Sequence, residues 1–198
     1  MSDLEIVHHP HPALRWKSRE ITRIDAQLRN WVEQMFELMY EARGIGLAAN
    51  QVALPYRMFV INPSGDPEQN DLEQVFINPE IIKRNGSCDA EEGCLSLPEI
   101  YGPVTRAERI TVEAFDLNGT QFSMDLTGLP ARVVQHENDH LDGVLFIDRV
   151  SEGEIRSLKP LLEDLEAQLE HRRRQGQAPS EEQMLATLKQ LQQERTAG

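Results

Sequence analysis

The chain has 198 residues, 33 of them acidic and 20 basic, for a net charge of -13. That length suits one domain with a real core better than two, and so acidic a protein is not built to grip nucleic acid through its phosphates, so no DNA partner is expected. No window approaches the run of about 18 apolar residues that a spanning helix needs, and the opening MSDLEIVHH has neither a cationic leader nor an apolar core, so a soluble, cytoplasmic protein without a membrane partner is expected.

From Ile24 to Tyr40 the residues Ile24, Leu28, Trp31, Met35, Leu38 and Met39 recur at helical spacing and predict an amphipathic helix packed on the core. GIGLAANQ, Gly44 to Gln51, follows that helix. It has the form G-x-G-x-x-A, but a dinucleotide fingerprint should follow a strand and open a βαβ unit, and this one does neither. What it offers is backbone that can be approached closely and one neutral amide, Gln51, suited to donating to a developing oxyanion. RMFVINP, QVFINPEII and RITVEAFDL are β-rich runs broken by Pro, Asn and Gly, and LNGT, Leu117 to Thr120, has the composition of a hairpin turn. GDPEQND, Gly65 to Asp71, is a loop by composition. The class is therefore α+β, with short antiparallel sheets.

Pro130 stands where a helix begins and Gly143 where one ends, and between them lies VVQHENDHLDG. On a helix His136 and His140 share a face and can offer imidazole nitrogens to one ion. Glu137 is turned by about 100° and can accept a proton from a water that the ion has made acidic. The alternative is an exposed polar helix, which Val133, Val134 and Leu141 argue against. A catalytic metal site wants three protein ligands and an open position. The third candidates are Cys94, in the tightly turned EEGCLSLP, Cys88, and the N-terminal His8, His9 and His11, which alternate with prolines like an extended surface segment. Two cysteines make no disulfide framework, so metal binding or catalysis is the sharper use of them. For Cys88 the expectation is a small buried side chain.

After Asp148 the texture changes. SEGEIRSLKPLLEDLEAQLEHRRR is a charged helix with a stripe of Leu158, Leu161, Leu162, Leu165 and Leu169, and Pro160 is expected at a kink or in an early turn. GQAPS breaks it, and SEEQ, Ser180 to Gln183, fits a capping box that starts one more short helix. The expected division is a catalytic domain over 1–150, a helix packed on it or extending from it over 151–174, and an appended, partly helical tail over 175–198.

GIGLAANQ, EGCLS (Glu92 to Ser96) and QHENDHL (Gln135 to Leu141) stand in the order of three motifs of the peptide deformylase family, which the chain resembles up to about Val150. HPHPALR, His9 to Arg15, resembles the opening of that family. The resemblance implies a deformylase-like fold around a central metal-binding helix, with an N-terminal and a C-terminal helix. It makes Cys94, His136 and His140 the metal ligands and Glu137 the general base and later acid, with the Gln51 amide and the Leu95 N–H taking the oxyanion. It implies a divalent ion, Fe2+ in cells, with Ni2+, Co2+ or Zn2+ able to replace it. The implied reaction is removal of the formyl group from the initiator formyl-methionine of nascent chains, releasing formate. Ile45, Gly46, Leu129 and Val133 are placed at the substrate, and Glu92 with Arg106 behind the cysteine loop, where an exposed ion pair is the plain alternative. Arg132, one residue before Val133 on the helix, is expected to point about 100° away from the pocket. The resemblance also implies a transient ribosome contact through the C-terminal helix, with HRRR, His171 to Arg174, as candidate, though such a run is otherwise a solvated face. A general metallopeptidase shares H-E-x-x-H but has no use for EGCLS. A noncatalytic paralogue would have lost Glu137 or a ligand, and neither is lost.

Overall fold

The computed structural model describes residues 4–196, with side chains to Glu194, so both ends of the expected division, 1–3 and 197–198, lie outside it. Asp25 caps the first helix, α1 (Ala26–Glu41), by accepting from the Leu28 N–H at 2.9 Å. A chain turn leads from it into β1 (Gly46–Ala48), a short 3-10 turn (Ala49–Val52) and β2 (Met58–Ile61). The remaining strands are β3 (Gln74–Asn85), β4 (Cys88–Cys94), β5 (Leu97–Arg106), β6 (Arg109–Phe115) and β7 (Gln121–Thr127). α2 (Gly128–Leu141), α3 (Glu152–Arg174) and α4 (Glu181–Thr196) follow. β1, β2, β3, β6 and β7 form one antiparallel sheet in that order, and β4 with β5 forms a separate hairpin. The α+β class and the central helix expected from the sequence are both present.

The large sheet is covered on both faces. Leu47, Met58, Val60 and Ile77 share a cluster with Leu28, Trp31, Met35 and Met39 of α1. Their neighbours Ala48, Phe59, Ile61 and Phe76 share another with Ala131, Val133, Val134 and Leu141 of α2. Alternate side chains of a strand point to opposite faces, so a strand with a helix on each side must be apolar throughout. MFVI is such a run. α2 is thereby driven into the interior, and every residue from Val133 to Leu141 is buried.

A third cluster joins Leu97, Ile100 and Val104 of β5 to Leu145, Phe146, Ile147 and Leu158. It seats the β4–β5 hairpin against the end of α2 and the start of α3. One expectation is corrected. Cys88 is exposed, because it opens β4 at the solvent end of the hairpin. Pro160 lies well inside α3, past its early turns, which leaves the kink of the two places expected for it.

Ser180 and Gln183 form the capping box, Ser180 N–H donating to Gln183 Oε1 at 2.8 Å and Gln183 N–H to Ser180 Oγ at 3.2 Å. α4 then folds back on the chain. It buries Met184 and Leu188, Trp16 Nε1 donates to Gln192 Oε1 at 3.0 Å, and the Tyr56 hydroxyl donates to the Leu191 carbonyl. Leu188→Ala is expected to cost about 2 kcal/mol, near the low end for a buried leucine because a terminal helix can detach locally. Thermal unfolding checks it: the midpoint should fall by roughly 4–8 °C, and an unchanged midpoint would mean that α4 does not hold this position.

Candidate active site

The end of β4 presents Cys94, and α2 presents His136 and His140 one turn apart on its buried face. Their donor atoms all lie within 4.8 Å of one another, with Cys94 Sγ 3.3 Å from His140 Nε2. Gly46 faces α2 from β1, and Gln51 reaches in from the 3-10 turn. A cleft of about 720 Å³ opens over this floor, lined by Ile45, Gly46, Leu95, Leu129, Val133 and Glu137 among others.

His140 is 1% exposed, and burial, reinforced by the nearby His136, holds its pKa well below the ordinary value. It is a neutral imidazole with a lone pair to give. Burial also disfavours charge on His136, but the hydrogen bonds it donates to Cys94 and Glu92 prevail and lift its pKa to about 10. Positive charge is therefore stabilised at this ring, as a proton or as a metal ion that would take the proton's place. Glu137 is 4% exposed, burial pushes its pKa up to about 7, and its Oε2 has no hydrogen-bond partner among the described residues. One thiolate and two imidazoles are donors that suit a divalent transition ion, and three such ligands leave a position free. The residues fit the metal that the sequence motifs imply.

The Gln51 amide is held in one sense. Its Oε1 accepts from the Ala48 N–H at 2.8 Å, so Nε2 points inward, 3.4 Å from Cys94 Sγ and 3.3 Å from Ser96 Oγ. Gly46 is required by close approach. A Cβ there would stand 2.5 Å from Glu137 Oε1 and 2.9 Å from Val133 Cγ1. Gly46→Ala is therefore expected to push the carboxylate aside and lower kcat by about 10²-fold, with the fold intact. Steady-state kinetics beside a thermal melt checks this, and unaltered kcat would free Glu137 from that contact.

Leu95 packs its side chain against Gly44, and Leu129 is half exposed at the rim of the cleft. His8 lines the cleft as well, exposed on the surface segment expected of the N-terminal histidines. The sequence reading did not single out Tyr101, whose ring covers Gly93, or Arg43 and Glu99, which also line the cleft. No motif marks them, because they meet only when the hairpin closes over the end of α1.

Behind the histidines lies a buried ionic network. Arg106 donates Nε and Nη2 to the two oxygens of Glu92, each at 2.9 Å, and Nη1 to Asp139. Glu92 Oε2 stands 2.9 Å from His136 Nδ1. Glu92 and Arg106 are 6% and 5% exposed, which removes the alternative of a solvated surface pair. Arg132 does not turn away from the pocket as expected: it lines the cleft and donates to Glu92 at 2.7 Å. Asp139, paired with Arg106 and Arg149, also belongs here. Its signal was present in the motif, since a charged residue between two buried histidines must itself find partners.

An α+β fold that gathers a cysteine to the two histidines of an H-E-x-x-H helix, beneath a cleft, defines a metal-dependent hydrolase. The comparisons with known proteins are more specific. The family model for polypeptide deformylase matches residues 3–156. The peptide deformylase of Rhodopirellula baltica is 47% identical over 178 residues, which is 90% of this chain and 88% of that one. That of Chromobacterium violaceum is 45% identical over 85% of this chain and 99% of its own. Among solved structures, a plant peptide deformylase superposes with a TM-score of 0.83 at 42% identity, covering 91% of this chain and 96% of that one. The Plasmodium falciparum enzyme gives 0.82 at 38% identity, over 84% and 98%. The chain belongs to the polypeptide deformylase family.

Proposed function

We propose that the enzyme removes the formyl group from the initiator formyl-methionine of nascent polypeptides, and that the residues gathered on the cleft floor do so. The observation that carries the reading is the buried Glu137 carboxylate, with one oxygen unpartnered, beside the Cys94, His136 and His140 donors. These three hold the divalent ion, Fe2+ in cells with Ni2+, Co2+ or Zn2+ as replacements. When bound, the ion supplies Lewis acidity to the formyl carbonyl and to the attacking water.

The rest falls to the protein. Gln51 Nε2 and the Leu95 N–H donate to the carbonyl oxygen as it gains negative charge. Glu137 takes the proton of the attacking water and hands it to the departing amide nitrogen, so that formate and a free amine leave together. In the metal-free protein burial raises the Glu137 pKa to about 7, and a carboxylate so readily protonated suits a group that must accept a proton and then pass it on. Ile45, Leu129 and Val133 offer apolar surface to the methionine side chain, and Gly46 offers backbone to the peptide. Glu92 and Arg106 hold the His136 ring in orientation.

The proposed division of the chain is a catalytic domain over 1–150, a C-terminal helix over 151–174 and an appendage over 175–198. A transient ribosome contact through α3 belongs to the same reading, supported by Arg172 and Arg174, which are exposed at its basic end. So does a cytoplasmic location, consistent with the absence of any described helix long and apolar enough to cross a membrane.

Formate release from formyl-Met-Ala-Ser, set beside acetyl-Met-Ala-Ser and the unformylated peptide, tests the chemistry. Anaerobically purified protein should carry close to one metal ion, lose activity on chelation and regain it with Ni2+. Cleavage of internal peptide bonds, or no formate after metal loading, would overturn the assignment.

A further inference from the structure

Arg132 lies one turn before His136 on α2, so the two side chains leave the same face of the helix. They take different oxygens of one carboxylate: Arg132 Nη1 donates to Glu92 Oε1 at 2.7 Å, and His136 Nδ1 meets Glu92 Oε2 at 2.9 Å. Arg132 also donates Nη1 to the Val104 carbonyl at 2.9 Å and Nη2 to the Cys88 carbonyl at 2.6 Å. Cys88 opens β4, Glu92 lies within it, and Val104 belongs to β5. One guanidinium therefore ties the helix that bears the two histidines to both strands of the hairpin that bears the cysteine.

Arg106 grips Glu92 from within β5 itself, at a residue paired with Cys88, so its hold on Glu92 stays inside the hairpin. Its further bond to Asp139 reaches α2 beyond His136. Arg132 makes the matching bond on the near side and adds the two carbonyls. The planar fork of arginine can serve three acceptors at once, and a lysine ammonium on its flexible stem cannot reproduce that arrangement.

We propose that Arg132 is a positioning residue: by clamping the β4–β5 hairpin to α2 and sharing Glu92 with His136, it sets the distance from the cysteine to the two histidines and the orientation of the His136 ring. This rests on the metal-site reading above. Without Arg132, Glu92 keeps only Arg106 and His136 as partners and is freer to shift, and the hairpin loses its direct tie to the first half of α2. The donor set survives, but less well arranged.

The test uses the full-length chain loaded with Co2+, comparing the natural protein with Arg132→Met, Arg132→Lys and Arg57→Met. Arg57, ahead of β2, pairs with Asp142 at 2.7 Å just beyond the other end of α2, and so controls for loss of a cation paired beside this helix. Two readouts are taken: the cobalt absorption spectrum, which reports thiolate and imidazole geometry, and the rate of metal loss to a chelator. Arg132→Met is expected to shift the cobalt bands and speed metal loss by about 10-fold or more, Arg132→Lys to recover part of both, and Arg57→Met to change neither. Natural spectrum and loss rate in Arg132→Met would overturn the role, as would equal effects from Arg57→Met. A natural protein that takes up no cobalt would overturn the metal-site reading itself, and the clamp with it.

Discussion

Glu137→Gln lowers formate release by about 10³-fold, within the range general acid–base catalysis contributes, while metal content stays at the natural level. The amide keeps the shape of the carboxylate but can neither accept nor pass on a proton, and Glu137 is not among the three clustered donors. Stability should move the other way. In the metal-free protein burial raises Glu137 from an ordinary 4.5 to about 7, so the folded state binds its proton more tightly than the unfolded chain does. Where the folded state holds more protons, stability falls as pH rises. The loss therefore accumulates between about 4.5 and 7 and is complete above that. Glutamine removes it, so the metal-free variant should unfold at higher denaturant than the natural protein at pH 8 and show no such advantage at pH 4. Urea titrations at the two pH values, with a formate assay at neutral pH, check both halves. More than a tenth of natural turnover in the variant would remove Glu137 from the chemistry.

Arg106→Ala carries the second large effect, on the fold and the metal together. Breaking a buried ion pair by removing one partner costs roughly 3–5 kcal/mol, because the charge left behind stays out of water. Arg106 leaves two such charges, Glu92 and Asp139, but each keeps a second arginine: Arg132 at 2.7 Å from Glu92, and Arg149 on both oxygens of Asp139. The expected loss is therefore near the lower bound, about 3 kcal/mol. His136 also loses the support behind Glu92, and metal affinity should fall by roughly 10–100-fold. Denaturant unfolding and a competitive chelator titration measure the two quantities. A stability loss under about 1 kcal/mol with metal affinity intact is the behaviour of a surface pair and would contradict the buried network.

Much of the architecture was legible where a single element carried its own signal. The stripe from Ile24 to Tyr40 became α1, and the runs around Met58, Gln74 and Arg109 became strands, because burial of one face imposes a period that a short window reveals. The β4–β5 hairpin was missed for the converse reason. β4 exposes Cys88, Asp89, Ala90 and Glu91, and β5 alternates buried Ile100, Gly102, Val104 and Arg106 with exposed residues. With one small and one charged residue on its inner face, β5 has no apolar pattern to read. The same alternation explains Arg106, which looks like a surface cation in RAERI and is buried because its slot faces inward.

The sequence by itself determined what lies along one helix: His136 and His140 share a face and Glu137 stands beside them, since the helical repeat alone sets those directions. It also determined, through Ser180 and Gln183, where the last helix begins. Only the tertiary structure decided what stands opposite. That the Cys94 sulfur meets the imidazoles, that Glu92 is shared by Arg106, Arg132 and His136, and that α4 returns to Trp16 and Tyr56 all depend on pairings between distant segments. Local spacing carries no information about such pairings, because the free energy that selects them comes from burying surfaces of different elements against each other.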